Sequence, residues 1–87
     1  MPSDKAIAAL NTVRDVIASY NLTFLQQRKF NGIFNAMEMQ IEDDDCNPEA
    51  VEHLGQAVLT VAKGYRLETL PVEEALTTVY ELSLIHI

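Results

Sequence analysis

The acidic run near the middle of the chain carries oxygen ligands at spacings that resemble part of a calcium-binding loop. If Asp43 took the first loop position, Asp45 and Asn47 would take the third and fifth, and all three side chains offer suitable oxygen atoms. The pattern then fails, because Pro48 stands where the loop needs glycine and Leu54 stands where it needs a bidentate glutamate. We therefore expect a solvated acidic turn and not a calcium site.

Transition-metal ligands are also too few. Glu49 and His53 lie one helical turn apart and could reach a single ion, with Cys46 close by in the sequence. A structural zinc site needs four ligands, usually in paired Cys and His spacings, whereas this chain has one Cys and two His. Metal sites in helical bundles use Glu-x-x-His, and residue 50 is Ala. We expect no metal and no cofactor.

Catalytic chemistry has one candidate, which is Cys46 as a nucleophile with His53 as its base. The neighbouring aspartates would raise the pKa of the thiol, and a nucleophile needs the opposite shift. The sequence contains no glycine-rich phosphate loop, Walker motif or Gly-x-Ser-x-Gly motif. We therefore expect a protein that is not an enzyme and has no catalytic residues.

Four stretches repeat apolar residues at every third or fourth position, the spacing of one helix face. The first two stripes are Ala6, Leu10, Val13, Ile17 and Tyr20, then Phe30, Phe34, Met37 and Ile41. The other two are Val51, Leu54, Val58 and Val61, then Val72, Ala75, Leu76, Val79 and Leu82. Each predicted helix must bury its apolar side against neighbours.

All four stretches have recognisable start signals, and we expect Ser3 to be the N-cap of the first. Thr23 and Gln26 have the spacing of a capping box, in which each side chain satisfies a backbone N–H group. Asn47 followed by Pro48 predicts the start of the third helix, because Asn caps and Pro has the right backbone angle for the first turn. Pro71 predicts the start of the fourth helix in the same way.

The stop signals are asparagine and glycine. We expect Asn21 to end the first helix and Gly64 to end the third by turning left-handed. Gly32 lies inside the second helix and weakens it by about 1 kcal/mol relative to Ala. We interpret it as a point of close approach by a neighbouring helix. Residues 65–70 alternate apolar and polar side chains, and we favour a packed linker there over a short extended segment.

These elements predict an all-α fold, a small antiparallel four-helix bundle, because short connections place consecutive helices side by side. Residues 1–87 are enough for a single helical domain. No apolar run approaches the roughly 20 residues that cross a membrane, and residues 1–5 lack the basic-then-apolar order of a signal peptide. The one cysteine is consistent with a reducing compartment. We expect a cytoplasmic protein without membrane contact.

Charge is unevenly distributed along the chain. The net charge is −7, with +2 in residues 1–35 and −9 in residues 36–87. Seven acids and no Lys or Arg lie between residues 38 and 52, namely Glu38, Glu42, Asp43, Asp44, Asp45, Glu49 and Glu52. Such a surface repels phosphate backbones and excludes direct nucleic-acid binding, and it would speed the encounter with a basic protein.

We therefore predict a non-enzymatic, acidic protein-binding module whose seven acids engage a partner protein with a basic surface. The carboxylates could mimic a row of phosphates in the groove of a nucleic-acid-binding protein. In size, charge and helical character the chain resembles small acidic proteins of phages and mobile elements, including anti-restriction and anti-CRISPR inhibitors. That resemblance is to a class and implies an inhibitor.

Two alternatives stay open at this point. A helical structural subunit or assembly chaperone is favoured by apolar residues outside the stripes, which are Phe24, Leu25, Leu59, Tyr65 and Leu67. The chain could also be the N-terminal fragment of a longer protein. Residues 82–87 resemble the in-frame translation of a transposase adapter used in sequencing libraries, which would replace the natural C-terminus. A natural helix end is the other interpretation of these six residues.

Overall fold

A computed structural model of the protein describes residues 2–85, and His86 lies outside them. These residues form four helices, α1 (Pro2–Ala18), α2 (Phe24–Glu42), α3 (Pro48–Gly64) and α4 (Leu70–Ile85). Residues 19–23, 43–47 and 65–69 connect them without strand or helix. The predicted all-α four-helix bundle is confirmed.

Each helix packs against two others around one core. Helix α1 contacts α2 and α4, and α3 contacts the same two helices. At the end of α1, the Tyr20 hydroxyl donates a hydrogen bond to the carbonyl of Glu68, just before α4. Early in α2, the ring of Phe30 meets Tyr65, just after α3, with the ring centroids 5.8 Å apart. Both contacts join the end of one helix to the start of another, as antiparallel packing requires.

The stripe of α2 forms the core as expected, and so does that of α1 except for Tyr20, which lies beyond the helix end at Ala18 and is only partly buried. Ala6, Leu10, Val13 and Ile17 of α1 are fully buried, and so are Phe30, Phe34, Met37 and Ile41 of α2. In α4, Val72, Leu76 and Val79 are buried, and Leu82 packs against the core. Ser83 is 1% exposed, and its hydroxyl donates to the carbonyl of Val79 at 2.8 Å. Helix α4 thus continues through the first residues of the segment that resembles an adapter.

The buried face of α3 differs from its predicted stripe. Val51 and Val58 are buried as expected, but Leu54 and Val61 are only partly buried. Their places are taken by Gly55, Leu59 and Ala62. Two of these residues are small. A pattern of large apolar residues does not identify small residues as buried, although small residues allow a neighbouring helix to approach closely. The face of α3 is therefore turned toward α4 relative to the prediction.

The start signals of α2 and α3 are confirmed, and α4 begins at Leu70, one residue before Pro71. The N-cap expected at Ser3 is wrong, because α1 begins at Pro2 and includes Ser3. The hydroxyl of Thr23 accepts from the backbone N–H of Gln26 at 3.2 Å, and the Gln26 side chain accepts from the N–H of Thr23 at 3.0 Å. The side chain of Asn47 accepts from the N–H of Glu49 at 3.0 Å, with Pro48 in the first turn of α3. These bonds satisfy backbone donors that a helix start otherwise leaves exposed.

The predicted end of the third helix at Gly64 is confirmed, whereas α1 ends at Ala18, three residues before Asn21. The left-handed turns expected at Asn21 and Gly64 are wrong. In residues 2–85, neither Asn21 nor any glycine has a positive φ, and Arg66 is the non-glycine residue that does, with φ of 60°. The N–H of Leu67 donates to the carbonyl of Ala62, and the N–H of Arg66 donates to that of Lys63, both at 3.0 Å. This is a Schellman end with arginine where glycine is usual. Residues 65–69 form the packed linker that we favoured.

None of the helices within residues 2–85 combines the length and the apolar content that a bilayer-spanning segment needs.

Candidate functional site

An open groove with a volume of about 740 Å³ lies between α2 and α3, beside their connection. Residues at intervals of three and four share a helix face, so successive turns of α2 form one wall of the groove and successive turns of α3 form the other. The α2 wall contains Ala36, Met39 and Gln40, and the α3 wall contains Ala50, His53 and Leu54. Asp43, Asn47 and Glu49 close the groove at the connection.

The groove is apolar along its length and acidic at one end. Met39 is 73% exposed, which is unusual for a large apolar side chain, and it lies beside the partly buried Leu54. Asp43 and Glu49 are both exposed at the acidic end. A ligand that matches this order has an apolar portion in the groove and a positive charge next to the connection.

The acidic connection is held by its own hydrogen bonds. One carboxylate oxygen of Asp43 accepts from the N–H of Asp45 at 2.9 Å, and the side chain of Asn47 caps α3. Asp44, Asp45 and Glu42 are exposed around the turn. In the described chain, no three His, Cys, Asp or Glu side chains are grouped as metal ligands would be.

Glu38 lies apart from this group. Its carboxylate is 3.7 Å from the guanidinium of Arg14 in α1, which also donates to the side chain of Asn35 at 3.3 Å. The same guanidinium lies over the ring of Phe34, 5.5 Å from its centroid. Glu38 therefore faces the seam between α1 and α2, on the other flank of α2 from the groove.

Glu52 also points away from the groove, toward α4. Its carboxylate acts on Tyr80: burial raises the pKa of that phenol, Glu52 raises it further, and the Gln56 side chain opposes the shift. A Cβ added to Gly55 of α3 would lie 2.7 Å from the Tyr80 ring.

The structure thus divides the seven predicted acids. Five surround the α2–α3 connection, and Glu38 and Glu52 flank it on opposite sides.

The predicted nucleophile and base have different environments. Cys46 belongs to the core and is 9% exposed, whereas His53 is exposed in the groove wall. Burial raises the pKa of the Cys46 thiol, and the charge of Asp43 raises it further. The direction is the one expected from the sequence, but burial contributes more than the aspartate. This environment keeps the thiol protonated and weakens it as a nucleophile.

The apolar stripes in the sequence did not predict the apolar walls of the groove. Met39 lies outside the apolar stripe of α2, and such a residue is the signal that could have revealed an exposed apolar surface. Five apolar residues outside the stripes favoured a structural subunit in the sequence, and of these Phe24 and Leu25 are exposed, at 77% and 73%. The other three do not support the argument, because Leu59 is buried and Tyr65 and Leu67 pack against the core.

No protein-family model, curated protein or solved structure matches this chain.

Proposed function

We propose that this protein is a non-enzymatic protein-binding module and that the α2–α3 groove is its binding surface. The observation that carries the proposal is the combination of the exposed Met39 with the acidic end at Asp43 and Glu49. Burial of apolar surface supplies affinity, at about 25 cal/mol per Å². The acidic end attracts a basic partner and orients it.

The finer proposal is an inhibitor, of phage or mobile-element origin, that acts in the cytoplasm on a basic nucleic-acid-binding protein. It is supported by the net charge of −7 and by the five exposed acids around the connection. A partner that binds carboxylates in place of phosphates would contact Glu42, Asp44 and Asp45 together with the two acids of the groove. Glu38 and Glu52 would contribute only at the edges.

A second candidate is a helical subunit of an assembly. Phe24 and Leu25 at the start of α2 and Met39 near its end each remain more than 70% exposed, and large exposed apolar side chains are typical of surfaces that another chain covers. In that case the apolar walls would matter more than the acids.

The experiment uses a fluorescein-labelled helical peptide with Leu on one face and Lys at one end as a probe for the groove. Reversing Asp43, Asp44 and Asp45 to Lys should weaken binding on the order of tenfold and reduce its salt dependence. The matched control reverses Glu73, Glu74 and Glu81 to Lys, which changes net charge equally but lies on α4.

Met39→Ala separates the two candidates, because a loss of binding larger than that of the triple reversal is expected for the helical subunit, whose apolar walls matter more than its acids. If it weakens binding as much as the triple reversal, the apolar wall and the acids act together, as proposed. If it has no effect while the triple reversal does, the acids act alone, as phosphate mimicry requires. Equal losses in the triple reversal and its α4 control would show that net charge explains the binding and that the groove is not a site.

A further inference from the structure

The outer face of α2 has a regular composition that the monomer does not use. Six residues recur at intervals of four, three, four, three and four, which places them on one helix face: Leu25, Lys29, Gly32, Ala36, Met39 and Asp43. We name this face the outer strip. Ala36 is partly buried and the other five are exposed. The strip begins at one end of the bundle and runs into the groove wall at the other.

Charge changes sign along the outer strip. Lys29 lies seven residues before Ala36, and Asp43 lies seven residues after it. In the described part of the chain neither side chain forms an ion pair. Since Phe30 contacts Tyr65, the end of α3 lies beside the start of α2 and brings Lys63 to the basic end. An identical face turned by 180° would therefore present the opposite charge at each end.

We propose that the outer strip, whose Ala36, Met39 and Asp43 also line the groove, binds a second copy of this chain, with the two α2 helices antiparallel about a two-fold axis at Ala36. This inference rests on the proposed protein-binding surface, and it replaces the basic nucleic-acid-binding protein as partner with the basic end of a second copy. Lys29 of each copy then faces Asp43 of the other, and both pairs form at once. A two-fold contact uses the same surface on both chains, so the pairing closes as a dimer and does not propagate.

The side-chain sizes fit the same axis. Met39 lies three residues after Ala36 and Gly32 lies four before it, so in the antiparallel pair they differ by one residue, about 1.5 Å along the axis. Met39 of each copy packs over Gly32 of the other. No atom outside its own helix lies within 4 Å of the Cβ position of Gly32, so this space is open. Methionine is flexible enough to fill it.

This pairing accounts for two features that have no role in the isolated monomer. Gly32 lowers the stability of an exposed helix, and no contact within the described chain requires a glycine there. Met39 leaves 73% of its surface in water. In the dimer the glycine receives the methionine, and each residue has a role.

The test is a charge exchange measured by sedimentation equilibrium. The native protein should dimerise in a concentration-dependent way, and Lys29→Asp and Asp43→Lys should each weaken the dimer about tenfold or more, since each places like charges together twice. An equimolar mixture of the two variants should regain the native association constant, because the mixed dimer restores both opposite-charge pairs. The matched control is Arg28→Asp, which makes the same charge change one residue away and off the strip.

Gly32→Gln provides an independent arm. It fills the space for Met39 and should abolish the dimer, yet it should raise the thermal midpoint of the dilute monomer, because Gln favours helix over Gly. A misfolded variant would lower that midpoint, so loss of the dimer cannot be mistaken for unfolding.

Each remaining outcome has a defined meaning. A native protein that stays monomeric while the Leu–Lys probe binds the groove overturns the second copy as partner and leaves the proposed function intact. A monomer that also fails to bind the probe overturns both. A dimer that forms but is insensitive to the Lys29 and Asp43 reversals overturns this geometry and points to another face.

Discussion

At the scale of single residues, the three glycines have two different environments, and only packing distinguishes them. Gly32 and Gly64 have open space where a Cβ would be, whereas the Cβ position of Gly55 is occupied by Tyr80. The interpretation of Gly32 as the point of close approach within the bundle is therefore wrong, and Gly55 is that point. Within the described chain, the Tyr80 hydroxyl at this contact is buried without a well-formed hydrogen bond.

The substitution that tests this contact is Gly55→Ala. It should lower the free energy of unfolding by about 1–2 kcal/mol, because overpacking at the Tyr80 ring outweighs the better helix propensity of alanine. Gly32→Ala, the matched control at an open position, should raise it by about 1 kcal/mol. Both values come from urea unfolding followed by circular dichroism.

A double-mutant cycle then isolates the contact. In a Tyr80→Ala background, Gly55→Ala should no longer destabilise the protein, since the ring that it displaces is gone. A loss of stability that persists in that background would show that the cause is not Tyr80.

At the scale of helices, ends are less predictable than starts. The start of α2 needs a short polar side chain at Thr23 and an amide at Gln26, and both are specific chemical signals. The end of α3 needs a left-handed residue, and the chain uses Arg66 although Gly64 is only two residues away. Gly64 is the last helical residue, and Leu67 must reach the core from the next turn. The burial of Leu67 therefore determines where the turn lies.

The backbone at Arg66 supplies a prediction for this element. A left-handed conformation costs a non-glycine residue about 1–2 kcal/mol, and glycine avoids this cost. Because glycine also has more conformational freedom in the unfolded state, part of that gain is offset. Arg66→Gly should therefore raise the free energy of unfolding by about 0.5–1 kcal/mol. Arg66→Ala keeps the Cβ and should stay near the native value. An equal gain in both variants would attribute the effect to charge and not to the backbone.

At the scale of the whole molecule, folding turns an uneven sequence into a bundle with unlike ends. The connections 19–23 and 65–69 share one end with Arg28, Lys29, Lys63 and Arg66, while the connection 43–47 lies at the other end with most of the acids. This separation makes the α2–α3 face complementary to itself when reversed. It also places the charges that could guide a partner at a distance from the apolar core.

Stability of the whole molecule should fall at alkaline pH. The pKa of Cys46 and the pKa of Tyr80 are both raised by burial, so the folded state holds these protons more tightly than the unfolded state. The resulting stabilisation is complete below the unfolded values, about 8.5 for a thiol and about 10 for a phenol. It is lost as the pH rises through the folded values, because the unfolded state then binds fewer protons.

Urea unfolding between about pH 8 and pH 11 measures this loss. Tyr80→Phe should reduce the decline above about pH 10, since the variant has no phenol at this site to ionise. Parallel curves for the native protein and the variant would exclude Tyr80 as a source of the alkaline dependence.

The sequence by itself determined the number of helices, the starts of α2 and α3, and the core faces of α1 and α2. These features depend on local hydrogen bonds and on the periodicity of large apolar residues, and both can be read from neighbours in the chain. The sequence also identified the residues of the acidic connection, but it joined Glu38 and Glu52 to them because they are close in number.

Only the tertiary structure decided what each of those residues faces. Glu38 turns to Arg14 on another helix, and Glu52 turns to Tyr80 on a third, so helix packing separates acids that are adjacent in the sequence. The groove has the same origin, since Met39 and Leu54 become neighbours only when α2 and α3 lie side by side. Such contacts join residues distant in the chain, and no local spacing encodes them.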